Sequence, residues 1–447
     1  MSKIREFLGE FKSVAKKGMF HIFGSSAIAH IGGLLSSVFV IRRLPKSSYG
    51  DYVSASNIYS YIAVFIGLGL FSAVIQFCSE KIDEEKKNSI YRFTFPAGTA
   101  FNVVLFAGIL AAGLIIGLAA GNPAGIYLAF MAGIPFVVYC NSYFQAVLRV
   151  KRLNKKYAYT NICFAATTLI SNIVFTYFFG TAGLIISSYL SNIAAASVAS
   201  IFLSKESFFC SIAKAKTPLD KKDKKSILSF SLLCAVTNFT SSMLVLLDVT
   251  CLGIVLKDSE ILADYKVASI IPAACLFIPT SLITFFYPLM VEKYSGNIKD
   301  FKNYILKILR IFICVNAVVL ILIEVFSPYV VSLIYGEKYM NVSHIFRILG
   351  VNYFLSSVKV LFGNTIAVMK KVKMNLIFAV ISGLVNIGLN LILIQSYGSA
   401  GAAAATVTVT SLIIVMQVIF FITFYKKTQR ENRLADGGLN EQDPDNK

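Results

Sequence analysis

The chain has 447 residues, 56% of them hydrophobic and 15% charged, and a formal net charge of +19. Soluble domains carry roughly 45–50% apolar and about 25% charged residues, so a soluble enzyme is the wrong starting point. No basic, aromatic-studded module is present that would make the positive charge a nucleic-acid footprint.

The apolar residues gather into blocks of roughly 20, each long enough to cross a hydrocarbon core of about 30 Å. Nearly all charge lies in the gaps between them. A backbone in lipid must satisfy its own hydrogen bonds, so the blocks are predicted to be helices; the weaker alternation of a membrane β-barrel is absent. Met1 to Lys17 is polar and basic with no apolar core, so no cleavable signal is expected there. Ile4, Phe7, Leu8, Phe11 and Val14 would give that segment one apolar face, as in a short interfacial helix. Spans are predicted at about 19–41, 52–78, 95–120, 124–148, 157–179, 182–203, 227–255, 265–290, 303–326, 346–369, 374–395 and 400–424. The expected fold class is therefore all-α: a polytopic membrane protein of about twelve transmembrane helices.

The longest hydrophilic gap, 204–226, holds Pro218 and the charged run Asp220 to Lys225. It reads as a solvated, basic cytoplasmic linker between a first six-helix bundle, 1–203, and a second, 227–425. The polar tail 426–447 reads as disordered. Lys and Arg set the orientation. With the N-terminus inside, only Arg42, Arg43, Lys46, Lys257, Lys266, Lys338 and Arg347 fall outside; Lys359 lies within a span, and the rest of the 42 lie inside. Both termini are thus expected to be cytoplasmic, in the cell membrane.

An internal repeat supports the division. Asn172, Gly180 and Gly183 recur as Asn390, Gly398 and Gly401, and Tyr52-Val53-Ser54-Ala55-Ser56 resembles Tyr265-Lys266-Val267-Ala268-Ser269. With an even number of spans in each half, the bundles would be parallel repeats about an axis along the membrane normal, a transporter plan.

Polar stripes at helical spacing run through several spans: Ser26, His30 and Ser37; Asn57, Ser60 and Tyr61; Asn141 and Gln145; Asn161, Thr168, Asn172 and Thr176; Ser382, Asn386 and Asn390. Each residue singly could be an interhelical hydrogen bond; stripes in both halves point to a hydrated cavity. Charge inside a span weighs more, because it is costly without a cavity or a partner. Lys359 sits near mid-span, and Asp248 in the outer part of the seventh span. For Asp248, a structural pair with Lys266 or Lys359 and a role toward substrate or coupling ion both stay open. Arg42 and Arg43 are either snorkelling side chains or an anion site. The eight cysteines show no CxxC spacing, and no disulfide framework or zinc site is implied. No catalytic constellation is present, so the expectation is not an enzyme.

Ordered motifs then resemble a known family. Arg43-Leu44-Pro45 followed by Ser48-Tyr49-Gly50-Asp51-Tyr52 resembles the Arg-Leu-Gly-Pro…Tyr-Gly-x-Tyr signature of polysaccharide-export flippases. These belong to the multidrug/oligosaccharidyl-lipid/polysaccharide superfamily. Gly67-Leu68-Gly69, Asp248 with Leu252-Gly253, Tyr265 with Ala268, Pro279, Tyr287-Pro288-Leu289, Ile334-Tyr335-Gly336 with Tyr339, and Tyr397-Gly398-Ser399-Ala400-Gly401 are similar to later motifs in the same order. The Gly between Leu44 and Pro45 is missing here, and Lys359 matches no family motif.

The resemblance implies a flippase for oligosaccharide linked to polyprenyl pyrophosphate, moved to the outer leaflet by alternating access for surface polysaccharide such as O-antigen or capsule. Lys359, Arg42 and Arg43 would hold pyrophosphate; Asn57, Asn141, Gln145, Asn172 and Asn390 would face sugar; Asp248 would serve transport. The partners implied are the bilayer, the lipid-linked substrate and polysaccharide polymerase machinery, without nucleic acid. No cofactor or metal is implied, and a coupling ion, H+ or Na+, stays open. The alternatives are a cation-coupled multidrug exporter of the same superfamily or a membrane polysaccharide polymerase or ligase. For topology, single cysteines placed in 204–226, in a chain stripped of its own cysteines, are expected to label only from the cytoplasmic side; labelling only from outside would overturn the orientation.

Overall fold

The computed structural model describes residues 20–79, 82–119, 121–215 and 218–439. The interfacial helix expected within 1–17 and the side chain of Ser26 lie outside the described residues. Every regular element among them is helical. The chain forms two compact units, Met1–Ser242 and Met243–Lys447. This boundary falls inside a helix, further along than the 204–226 gap.

The first unit holds α1 (Phe20–Arg43), α2 (Lys46–Ala63), a 3-10 turn (Ile66–Gly69), α3 (Leu70–Ser79), α4 (Glu84–Leu114), α5 (Pro123–Phe130), α6 (Ile134–Val150), α7 (Asn154–Phe179), α8 (Thr181–Lys205) and α9 (Phe208–Lys214). Helix α10 (Lys221–Leu256) runs across the division. The second unit continues with α11 (Ser259–Cys275), α12 (Phe277–Gly296), α13 (Ile298–Tyr335), a 3-10 turn (Glu337–Val342), α14 (Ser343–Val368) and α15 (Val372–Leu439). Local chemistry sets several of the starts. Asn122 accepts from the Ala124 N–H with Pro123 at the first helical position, and Asp258 and Asn297 accept from the N–H two residues on, at 2.8 Å each.

Seven helices among the described residues are long and apolar enough to cross a membrane, and nine if each bent pair counts as one span. Two of the twelve or so expected spans, 374–395 and 400–424, are the two arms of α15, which breaks at Gly398. The same helix carries on to Leu439, through the start of the tail expected to be disordered. Large apolar side chains point outward: Val104 is 64% exposed, Leu118 78%, Phe178 71% and Leu333 74%. Water does not tolerate so many of them; hydrocarbon does. This is a multi-pass membrane protein.

The 204–226 segment is not a bare solvated loop. Phe208 is buried, with its ring 5.2 Å from that of Tyr91. Arg92 donates to the Ala215 carbonyl at 2.5 Å, and Lys86 pairs with Asp223 at 2.8 Å. Lys156 bonds Glu206 and holds that carboxyl below its usual range. Apolar anchors outweighed the charge run in placing this stretch against α4 and α8.

In the first unit the second span is broken. Gly67, Leu68 and Gly69 all have positive φ, at 56°, 51° and 69°, and the helices on either side meet at 41°. The Gly67 N–H donates to Asn102 Oδ1 at 2.8 Å instead of to a helical carbonyl. The Tyr139 ring fills the space a Cβ on Gly67 or Gly98 would need.

The repeat read in the sequence reappears as backbone geometry. Gly180 (φ 58°, ψ −134°) and Gly398 (φ 56°, ψ −133°) turn the chain identically, in a region open only to glycine. Arg152 and Lys370, at the same interval along the chain, are both left-handed, at φ 56° and 59°. A Cβ on Gly183 would lie 2.1 Å from the Phe175 carbonyl oxygen, and one on Gly401 2.1 Å from that of Leu393. These atoms are backbone and cannot yield cheaply. Gly183→Ala and Gly401→Ala are therefore expected to lower stability by about 1–3 kcal/mol, read as thermal unfolding in detergent. Gly388→Ala, with nothing within 4 Å of its Cβ, is expected to be neutral or slightly stabilising. Equal stability of all three would show that the tight turns are not required.

Candidate substrate cavity and carboxylate cluster

Asp248, on α10, is 4% exposed. One carboxylate oxygen accepts from the Tyr265 hydroxyl at 2.7 Å and from the Thr406 hydroxyl. The other accepts from the amides of Asn390 at 3.0 Å and Asn386 at 3.4 Å. Asn390 also donates to Asn386 Oδ1 at 2.9 Å. Asn386 and Asn390 face Asp248 together because they lie one helical turn apart. Thr406 joins them because the Gly398 turn brings the second arm of α15 back. The buried Asn390 Oδ1 has no hydrogen-bond partner among the described residues, an acceptor left for a ligand, ion or water.

Asp248 is in no ion pair among the described residues. The pairing with Lys266 or Lys359 that the sequence left open is replaced by four neutral donors. The carboxylate instead borders a cavity of about 240 Å³ in the second unit, lined also by Lys266, Lys359, Tyr353, Asn386 and Thr406. Lys266 is exposed and Lys359 half-buried, and neither is in an ion pair among the described residues. A membrane protein retains such cations where they face water or a ligand. Among the described residues no three His, Cys, Asp or Glu side chains could hold a metal ion together.

The first unit repeats the plan without the charge. Asn172 Nδ2 donates to Ser36 Oγ at 2.6 Å, as its repeat-mate Asn390 does to Asp248. At the position corresponding to Lys359 stands Asn141, and at that of Thr410 stands Asn192. Asn141 donates to Asn192 Oδ1 at 3.1 Å and accepts from Gln145 at 2.9 Å. Asn57 is buried in α2. Arg42 and Arg43 are exposed at the end of α1, with the Arg43 guanidinium 5.3 Å from the centre of the Tyr177 ring.

The structure thus brings Asp248 and Lys359 to one cavity in the second unit, with Asn390 behind it, bonded to Asp248. Asn141 with Gln145, Asn172, Asn57 and the two arginines belong to the first. Sequence reasoning counted Lys266 among the outside lysines and named it only as a possible ion-pair partner of Asp248, not as a residue facing substrate. A signal was present, since Lys266 stands where the first copy of the repeat has Val53. Thr406 and Asn192 sit in small-residue runs and carried no signal.

Two units on a repeated helical plan, with a cavity in the second that carries a carboxylate and two lysines, make a multi-spanning helical membrane protein. The fold is shared with solved transporters. It matches a multidrug resistance transporter of the MATE family, MOP superfamily, inward-facing, with a TM-score of 0.75 and 14% identity over 90% of this chain and 96% of that one. It matches the lipid II flippase MurJ in an inward closed conformation with a TM-score of 0.68 and 16% identity over 95% and 94%.

Residues 39–344 match the family described as polysaccharide biosynthesis protein. The chain belongs to that family. It is also 24% identical over 220 residues to the "Probable low-salt glycan biosynthesis flippase Agl15" of Haloferax volcanii. That match covers 48% of this chain and 46% of the relative, so the chain spans about half the length of the curated relative it matches.

Proposed function

We propose that the protein is a flippase. It moves oligosaccharide linked to polyprenyl pyrophosphate from the cytoplasmic to the outer leaflet of the cell membrane, for polysaccharide assembly. The observation that carries this reading is the cavity of the second unit, with two lysines outside any ion pair among the described residues. Family membership supports it, as do relatives named as flippases in glycan biosynthesis and for lipid II.

The physical problem is to carry a charged diphosphate and a hydroxyl-rich sugar past hydrocarbon, which accepts neither without compensation. Lys359 and Lys266 supply charge-assisted hydrogen bonds to the phosphoryl oxygens. The neutral amides Asn57, Asn141, Gln145 and Asn172 of the first unit have the donors and acceptors that sugar hydroxyls match, and meet them by exchanging bonds such as Asn141–Asn192 and Asn172–Ser36. Arg42 and Arg43 act on the diphosphate at the membrane surface. Asp248, with Asn390, Tyr265 and Thr406, takes up a coupling cation, H+ or Na+. The carboxylate, the Tyr265 and Thr406 hydroxyl oxygens and the buried Asn390 Oδ1 are oxygen groups, the ligand type a hard cation prefers. Transport proceeds by alternating access without covalent chemistry, so the protein is a translocase and not an enzyme. Both termini lie in the cytoplasm, where the basic segments face the negative leaflet, and polysaccharide polymerase machinery takes the product.

Asp248 is also what a multidrug exporter for cations would use. Two lysines in no ion pair among the described residues line the same cavity and repel such a substrate, and the anionic reading is therefore preferred. The test is leaflet transfer of a lipid-linked oligosaccharide by reconstituted protein at matched incorporation. Lys359→Gln should weaken substrate binding by about 1.5–3 kcal/mol, the worth of one charge-assisted contact. Lys359→Arg should retain more, limited by the fit of a planar guanidinium in a lysine site. Near-normal transfer by both would remove Lys359 from the site.

A further inference from the structure

The cavity of the second unit also fixes how substrate and coupling cation influence one another; this inference rests on the anionic-substrate reading above. Asp248, Lys266 and Lys359 line one cavity of about 240 Å³. The groups bonded to the carboxylate or lining its cavity come from three further helices. Helix α11 presents Tyr265, bonded to Asp248, and the next residue, Lys266. Helix α14 presents Lys359 and Tyr353, and α15 presents the neutral Asn386, Asn390 and Thr406. Among the described residues Asp248 is the sole acidic group of the lining. The formal charge of the lining is thus two positive against one negative.

A diphosphate linking sugar to lipid brings about two negative charges, which inside this one cavity feel the Asp248 carboxylate as well as the lysines. With the anion bound, the cavity carries an excess negative charge. A proton or sodium ion at Asp248 cancels it. We infer that the anionic substrate and the coupling cation bind this cavity cooperatively, each raising the affinity of the other, with Asp248 as the group that couples them. The coupling is reciprocal by thermodynamic necessity. Its sign is opposite to that for a cationic substrate, which would compete with the coupling ion for the same carboxylate. The repeat strengthens the inference. The first unit folds on the same plan with Ser36 and Asn141 in these places, so the fold itself does not demand the charges.

The experiment is titration of purified full-length protein in lipid nanodiscs with farnesyl diphosphate, at fixed ionic strength. Wild type should bind more tightly when Na+ replaces a bulky inert cation, or when the pH is lowered. Asp248→Asn, which removes the charge permanently, should bind about tenfold more tightly than wild type and lose that dependence, yet fail to transfer lipid-linked oligosaccharide. The probe's own protonation affects both proteins and cancels in the comparison. Lys266→Gln and Lys359→Gln should each weaken binding.

If the lysine variants lose affinity while Asp248→Asn binds no tighter and neither cation alters wild-type binding, the cooperative coupling is wrong and the anion site stands. If wild type does not bind farnesyl diphosphate at all, the anion site falls and the coupling with it. Should Asp248→Asn misfold, uptake of protons or Na+ by wild type on diphosphate binding decides alone. Net uptake supports the inference, and release or no change overturns it.

Discussion

Hydrocarbon solvates neither an amide nor a charge, and the rest of this structure follows from that one constraint. It forces the chain into helices that close their own hydrogen bonds, turns side chains such as Leu118 and Phe178 outward, and makes each interior polar group find a partner. Most do. Tyr139 reaches the Thr94 carbonyl at 2.8 Å, Tyr353 reaches Asn316, and Thr410 reaches Asn352 at 2.8 Å. Against this background Lys266 and Lys359 stand out. They line a cavity without an ionic partner among the described residues, and the carboxylate that lines the same cavity is held by neutral donors. A buried ion pair would contribute little to folding even if it formed. Keeping the charges apart around a cavity leaves both signs available to ligands.

The repeat separates what the fold requires from what transport adds. Both halves use the same glycine turn and the same close approach beyond it. Both pin an Asn after the polar stripe to a residue on the first helix of their half. In the first half the partners are uncharged, and Asn141 and Asn192 satisfy one another. In the second half the equivalent positions carry a lysine and open onto a cavity. A neutral copy on the same plan means that this arrangement of helices does not by itself call for a lysine at these positions.

Much of this was legible in the sequence. Apolar block length gave an all-helical membrane protein, because bilayer thickness leaves few alternatives. The glycine spacing gave the repeat, because the turn at Gly180 and Gly398 is open to no other residue. Asp248, Asn390 and Lys359 were visible as polar groups where lipid forbids idle ones. What stayed hidden depended on tertiary contact. Whether Asp248 paired with a lysine or with amides could not be read from spacing, since its partners come from α11 and both arms of α15. Lys266 was counted with the outside lysines because it sits at the start of a span, and was offered only as a pair for Asp248. The 204–226 segment read as solvated because its charges outnumber Phe208 and Phe209, although the buried Phe208 anchors it.

The most direct measurement of the central claim is transfer across vesicle membranes containing the wild-type protein, with two substrates compared side by side. One is an oligosaccharide on polyprenyl pyrophosphate, followed by its accessibility to an external glycosidase; the other is a lipophilic cationic dye. The account predicts protein-dependent appearance of the lipid-linked sugar on the far leaflet and no protein-dependent movement of the dye. Dye movement coupled to a cation gradient, with the lipid-linked sugar left where it started, would contradict it.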